Sequence, residues 1–120
     1  MKQRIDQLNR YFEEQIALCR QKEQALREDA RQDEGTFEKI RANIFDIFRT
    51  VLSAGVKVHP NDPEALKTFF LQRLEQIPSG WRASYEKAGR HGNAAQMAVE
   101  EVKLKALEEI QTAFTEIWEA

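Results

Sequence analysis

Apolar residues recur along this chain at helical rather than strand spacing almost from end to end. Over residues 2–33 they fall at Ile5, Leu8, Phe12, Ile16, Cys19, Leu26 and Ala30. Steps of three, four and seven keep these side chains on one face of a helix. Asp6 before Arg10 and Glu23 before Arg27 add favourable pairs four apart. The half after Arg20 is more polar than the first, which predicts a stretch that is partly solvated or projects from the core. Gly35 and Thr36 read as the boundary of this helix. The glycine suits a left-handed cap, and the threonine can accept from the free N–H groups of the next turn.

A second helix is predicted from there to about Ala54, carrying Phe37, Ile40, Ile44, Phe45, Ile47, Phe48, Val51 and Leu52. At about 100° per residue these cover an arc of roughly 160°, more than a surface helix needs, so this is the expected most buried element. Gly55 reads as its stop and residues 56–61 as a short extended connection. Asp62-Pro63-Glu64 then combines an acidic cap, a proline at the first helical position and an acid in the first turn. The third helix carries Leu66, Phe69, Phe70, Leu71, Leu74 and Ile77 until Pro78 ends or bends it. Ser79 reads as the cap of a short helix with Trp81, Tyr85 and Ala88, closed by the glycines of 89–92. Asn93 caps a last helix reaching about Trp118, whose main stripe is Ala95, Ala98, Val99, Val102, Ala106, Ile110, Ala113, Phe114 and Ile117. The pattern predicts an all-α protein with one domain over residues 1–120. Its expected form is an antiparallel bundle of four main helices, with a short additional helix before the last one.

The two long end helices carry apolar residues that the main stripes do not use. Tyr11, Leu18 and Ala25 recur every seven residues on a flank of the first helix. Met97, Leu104 and Trp118 repeat that spacing on the last, with Gln111 in the remaining place. A seven-residue recurrence holds one seam toward a partner helix along its length, so these six residues form the candidate interaction surface. The other reading is that they widen the core-facing stripe or sit exposed singly. A twofold homodimer is the simplest form of the first reading.

Charge narrows the partners. Eighteen basic and 20 acidic residues give a formal net charge of −2, and the two signs interleave along the chain. No surplus of positive charge is present to neutralise a phosphate backbone, so nucleic acid is not the expected ligand. No apolar run approaches the roughly 20 residues that span a bilayer, and none marks a secretory leader at the N-terminus. With a single cysteine, Cys19, no internal disulfide can form. The chain reads as cytoplasmic, without a membrane partner.

Chemistry-bearing residues do not assemble into a motif. Cys19, His59 and His91 fall in no metal-ligand spacing, and Val56 and Ala88 stand three residues before the histidines where a di-iron bundle would place Glu. Cys19 lies on the core stripe, far from any helix N-terminus that would lower its pKa. Glu100-Glu101 and Glu108-Glu109, with Lys103 and Lys105 between them, read as a solvated charged face. No phosphate loop, nucleophile elbow or zinc-protease signature occurs. The expected function is therefore non-enzymatic, without metal or cofactor, through self-association or contact with another helical protein. The alternative is a small-molecule-binding or regulatory domain with an aromatic pocket of Phe69, Phe70, Trp81 and Tyr85, beside Arg82. The same aromatics could instead plug the end of the bundle.

Overall fold

A computed structural model describes residues 1–120. Five helices follow one another without a strand: α1 (Lys2–Glu28), α2 (Gln32–Val58), α3 (Pro63–Gln76), α4 (Ser79–Arg90) and α5 (Ala94–Glu119). The protein is an all-α bundle, with α4 as the short helix before the last. No helix is long and apolar enough to cross a membrane.

Two glycines act differently from what their places in the sequence imply. α1 stops at Glu28, where the Arg31 N–H returns to the Leu26 carbonyl at 2.8 Å and the Ala30 N–H to the Arg27 carbonyl at 3.1 Å. This closes a Schellman turn around Ala30, whose φ is +58°. Gly35 instead lies buried in the first turn of α2, where a Cβ would stand 3.0 Å from Arg27 Cγ of α1. Thr36 is helical as well, and its hydroxyl donates to the Gln32 carbonyl at 3.0 Å. Gly55 does not stop α2, which continues through residues 56–58 to Val58. It faces α3, where a Cβ would meet Leu66 Cδ1 at 2.7 Å and Phe69 Cδ1 at 2.8 Å. Both residues let two helices approach closely, a use of glycine that a terminator reading overlooks.

The other signals mark helix starts. Asp62 Oδ1 accepts from the Ala65 N–H at 3.1 Å with Pro63 in the first position, and Asn93 Oδ1 accepts from the Gln96 N–H at 3.1 Å. Gly92, at φ +65°, closes α4 in the left-handed conformation that glycine adopts without steric cost. Ser79 is not a cap but the first residue of α4, and its hydroxyl donates to the Gln76 carbonyl at 2.8 Å.

Side-chain contacts fix the helix directions. Tyr11 of α1 meets Phe45 of α2, and Arg27 near the end of α1 meets Gly35 near the start of α2, so the pair is antiparallel. α5 lies antiparallel to α1, with Trp118 beside Arg4. α3 and α4 follow α5 in turn. Lys67 reaches Glu119 and Phe70 stacks on Phe114, then Trp81 lies near Lys103 and Tyr85 near Glu101. The path breaks at Pro78 between them.

The core is aromatic at its centre. Phe70 stacks on Phe114 at 4.5 Å between ring centroids, and Phe114 on Trp118 at 5.3 Å. Phe48 and Phe12 close on Phe70 at 6.1 and 6.4 Å. These rings fill the space through which α3 reaches α1 and α5. Burial then stops well short of one end of the bundle. Beyond Cys19 on α1 nothing is fully buried, before Ala42 on α2 only Gly35 is, and before Ala106 on α5 only Glu100 is. The apolar pattern does not stop there: Leu26, Phe37, Ile40, Ala98, Val99 and Val102 are all half-buried and lie outside the core cluster.

Global dimensions agree with a core that is short for its helices. The Cα radius of gyration is 15.8 Å, against about 13.6 Å for a compact chain of this length. The accessible surface is 7330 Å², against about 6700 Å² for a compact monomer of this mass.

Substitution at the glycines distinguishes close approach from termination. Gly55→Ala gains up to about 1 kcal/mol of helix propensity but drives a methyl into Leu66 and Phe69, an overpacking cost of about 1–3 kcal/mol. The expected net effect is destabilisation. Gly80, with nothing within 4 Å of its Cβ position, is expected to gain up to about 1 kcal/mol as alanine. Ala30→Gly relieves a left-handed alanine and should stabilise by about 0.5–1 kcal/mol. Urea-unfolding midpoints on the three variants check all three signs.

Candidate functional site

The six flank residues do not share one face. Trp118 is 3% exposed, stacked on Phe114 with the Arg4 guanidinium 5.4 Å from its ring, and belongs to the core. Tyr11 is half-buried, its ring edge-on to Phe12 at 5.5 Å and to Phe45 at 6.0 Å. Met97 approaches Gly89 of α4, and Leu104, seven residues on, is half-buried on that same flank of α5. Leu18 at 44% exposure and the exposed Ala25 are left in solvent on α1. The seven-residue spacing therefore runs through three environments, because neighbouring helices cover different parts of each flank.

The aromatic residues are dispersed in the same way. Phe70 is enclosed by Phe12, Phe48 and Phe114. Phe69 sits at the α2–α3 corner, with His59 edge-on at 6.0 Å and the Arg73 guanidinium 4.5 Å above its ring. Trp81 lies 5.8 Å from Lys103 Nζ and packs against the edge of the core. Tyr85 donates its hydroxyl to Glu101 at 3.1 Å. The four side chains have different neighbours and make no aromatic contact with one another.

What converges instead are two polar clusters where the core ends. Arg41 of α2 forks onto Glu109 of α5, with Nη1 3.3 Å from Oε1 and Nη2 3.1 Å from Oε2. Its Nε lies 3.7 Å from Glu38 Oε2, and its guanidinium is 5.6 Å from the Phe45 ring. Both Nε and that oxygen are buried without a hydrogen-bond partner, so they answer each other by charge alone. The buried Cys19 thiol borders this cluster; burial pushes its pKa up, with Arg41 opposing. Tyr11 stands at the same junction, its phenol pushed up to about 12 by burial first and by Glu109 next, with Arg41 opposing.

Glu100 anchors the second cluster. It is 3% exposed, and its Oε1 accepts from Gln96 Nε2 at 2.8 Å and Lys103 Nζ at 3.3 Å, while Oε2 has no partner. Sequence reasoning placed Glu100 on a solvated face and passed over Arg41 altogether. The available signals were positional: Arg41 falls within the apolar arc of α2 beside Ile40 and Phe45, and Glu100 lies between Met97 and Leu104 on their flank.

The Arg41 cluster ties α2 to α5, whereas the partners of Glu100, Gln96 and Lys103, lie on α5 itself. Neither presents a nucleophile with an adjacent base, and no three His, Cys, Asp or Glu side chains converge in the chain. Their positions differ: the Arg41–Glu109 junction lies at the upper part of the core, and Glu100 lies six residues beyond Ala106, toward the open end. Fold and site define an all-α bundle with one open end. No family model, curated protein or solved structure matches the chain.

Tyr11 reports on the Arg41 junction. Because the fold favours its neutral form, its contribution to stability is intact below about pH 10 and is lost as pH rises toward about 12. In a Tyr85→Phe background, alkaline absorbance titration should place the Tyr11 midpoint near 12. Glu109→Gln should lower it while leaving it above 10, because burial is the larger cause.

Proposed function

We propose that this chain is a non-enzymatic helical-bundle protein of the cytoplasm that acts through self-association and protein–protein contact, with the open end of the bundle as its contact surface. The observation that carries this reading is the mismatch between apolar pattern and burial. The stripes of α2 and α5 run on through Phe37, Ile40, Ala98, Val99 and Val102, yet burial is complete only below Ala42 and Ala106. Half-covered apolar surface on packed helices is the kind of surface that a further helix covers. The single unpaired cysteine suits a reducing compartment, and the mixed, nearly neutral charge suits a protein partner better than a phosphate backbone. Phe69, Phe70, Trp81 and Tyr85 stand in four different surroundings, which favours the contact reading over the aromatic-pocket alternative.

Light scattering on wild type and on a Val99→Glu/Val102→Glu variant tests this reading. Wild type is expected at about twice the 14.0 kDa chain mass. The variant is expected to be monomeric, with its helical circular dichroism retained, because both positions are half-exposed in the single chain. Wild type that stays monomeric at every concentration up to the millimolar range would overturn the self-association reading.

A further inference from the structure

We infer that the partner at the open end is a second copy of this chain on a twofold axis, with the acidic α1–α2 turn of one protomer against the basic end of α4 of the other. This rests on the self-association reading above and specifies its partner and register.

Both turns lie at the same end of the molecule. Arg4 and Trp118 are in contact at the other end. At 1.5 Å per residue, about 38 Å of α1 separates Arg4 from the α1–α2 turn, and about 36 Å of α5 separates Trp118 from Ala94. The open end is therefore rimmed by the α1–α2 turn on one side and by the α4–α5 turn on the other.

The two rims carry opposite charge. Residues 28–34 hold Glu28, Asp29, Asp33 and Glu34 against the single Arg31, a net −3. Residues 82–91 hold Arg82, Lys87 and Arg90 against Glu86, a net +2 with His91 neutral. Within one chain they do not meet. Arg31 pairs only with Asp29 and Glu34 beside it, and none of Arg82, Lys87 and Arg90 has a carboxylate within 4 Å. α4 packs on α5 rather than on the α1–α2 hairpin, which keeps the rims apart.

A twofold axis makes two such rims complementary. In an isologous interface every contact occurs twice, so one acidic-to-basic pairing serves all four rims. The same arrangement turns the half-covered Phe37, Ile40, Val99 and Val102 of each copy toward the other. The area is of a suitable order: the surface exceeds that of a compact monomer by about 600 Å², while a standard interface buries about 800 Å² per partner. Complementary charge at the rim sets register and the rate of encounter, and the apolar strip supplies the driving force.

The test is a charge exchange between copies, read by light scattering and sedimentation. Asp33→Lys/Glu34→Lys and Lys87→Glu/Arg90→Glu should each be monomeric, with dissociation constants raised at least tenfold. An equimolar mixture of the two should recover a dimer containing one of each. In wild type, raising salt from about 0.05 to about 1 M should weaken the dimer several-fold, a measurement that needs no variant to fold. Charge variants that remain dimeric while Val99→Glu/Val102→Glu becomes monomeric would overturn the rim pairing and leave the self-association reading standing. Monomeric charge variants that do not recover on mixing, or a wild-type dimer indifferent to salt, would also overturn the pairing. A monomeric wild type would overturn both.

Discussion

The register of α5 against the α1–α2 hairpin is the constraint on which the rest of the structure depends. Two contacts set it about 14 Å apart along α5, at 1.5 Å for each residue from Glu109 to Trp118. At one, the Trp118 ring is sealed between Phe114 and Arg4. At the other, the two nitrogens of the Arg41 fork meet both oxygens of Glu109. A flat ring in a closed slot tolerates no sliding, and a bidentate pair tolerates no rotation. Between them Ile110 and Phe114 are carried into the core, and Phe114 in turn receives Phe70 from α3. The same register places the first turn of α5 level with the α1–α2 turn, which is what gives the bundle an open end with two rims.

Helix existence was legible in the sequence because it depends on period alone, and the caps Asp62 and Asn93 were legible because a short polar side chain before a helical run has one dominant local use. Boundaries at glycine were legible only at Gly92, which closes α4. Gly35 and Gly55 satisfy the composition of a stop, but a missing Cβ serves equally well where two helices approach, and only the neighbour's position distinguishes the uses. Ala30, which no terminator rule selects, took the left-handed position instead. The flank residues failed for a related reason. Spacing of seven places Tyr11, Leu18 and Ala25, or Met97, Leu104 and Trp118, on one side of their own helix. Which neighbour covers that side changes along its length. Trp118 lies where α1 and α3 close over α5, whereas Leu18 lies where nothing does.

The buried charges follow from the same geometry. Arg41 sits where coverage by neighbouring helices ends, with an apolar body on one side and partners near solvent on the other; Glu100 is enclosed, but its partners Gln96 and Lys103 reach toward solvent. A charge enclosed wholly in the core would face a large desolvation penalty. Placed at the boundary, Arg41 rests on Phe45 and reaches Glu109, which is 40% exposed, so the cost of enclosing it is reduced. That accounts for two charged residues inside apolar arcs without requiring a catalytic role for either.

Helix lengths explain why the end is open at all. α1, α2 and α5 have 27, 27 and 26 residues, about 40 Å each, while α3 has 14 and covers about 21 Å. A fourth rod of full length would close the bundle along its whole axis. After Pro78 the chain keeps travelling along α5, but as α4 it packs against α5 and contributes only Ala88 to the buried set. The apolar strip of α2 opposite that stretch therefore loses the layer that α3 supplies lower down. Every copy of the chain lacks the same layer at the same end and carries the same charged rims beside it. A surface missing one helix layer is most simply completed by a body that presents helices of that length, and the α1–α2 and α4–α5 hairpins of another copy are such bodies.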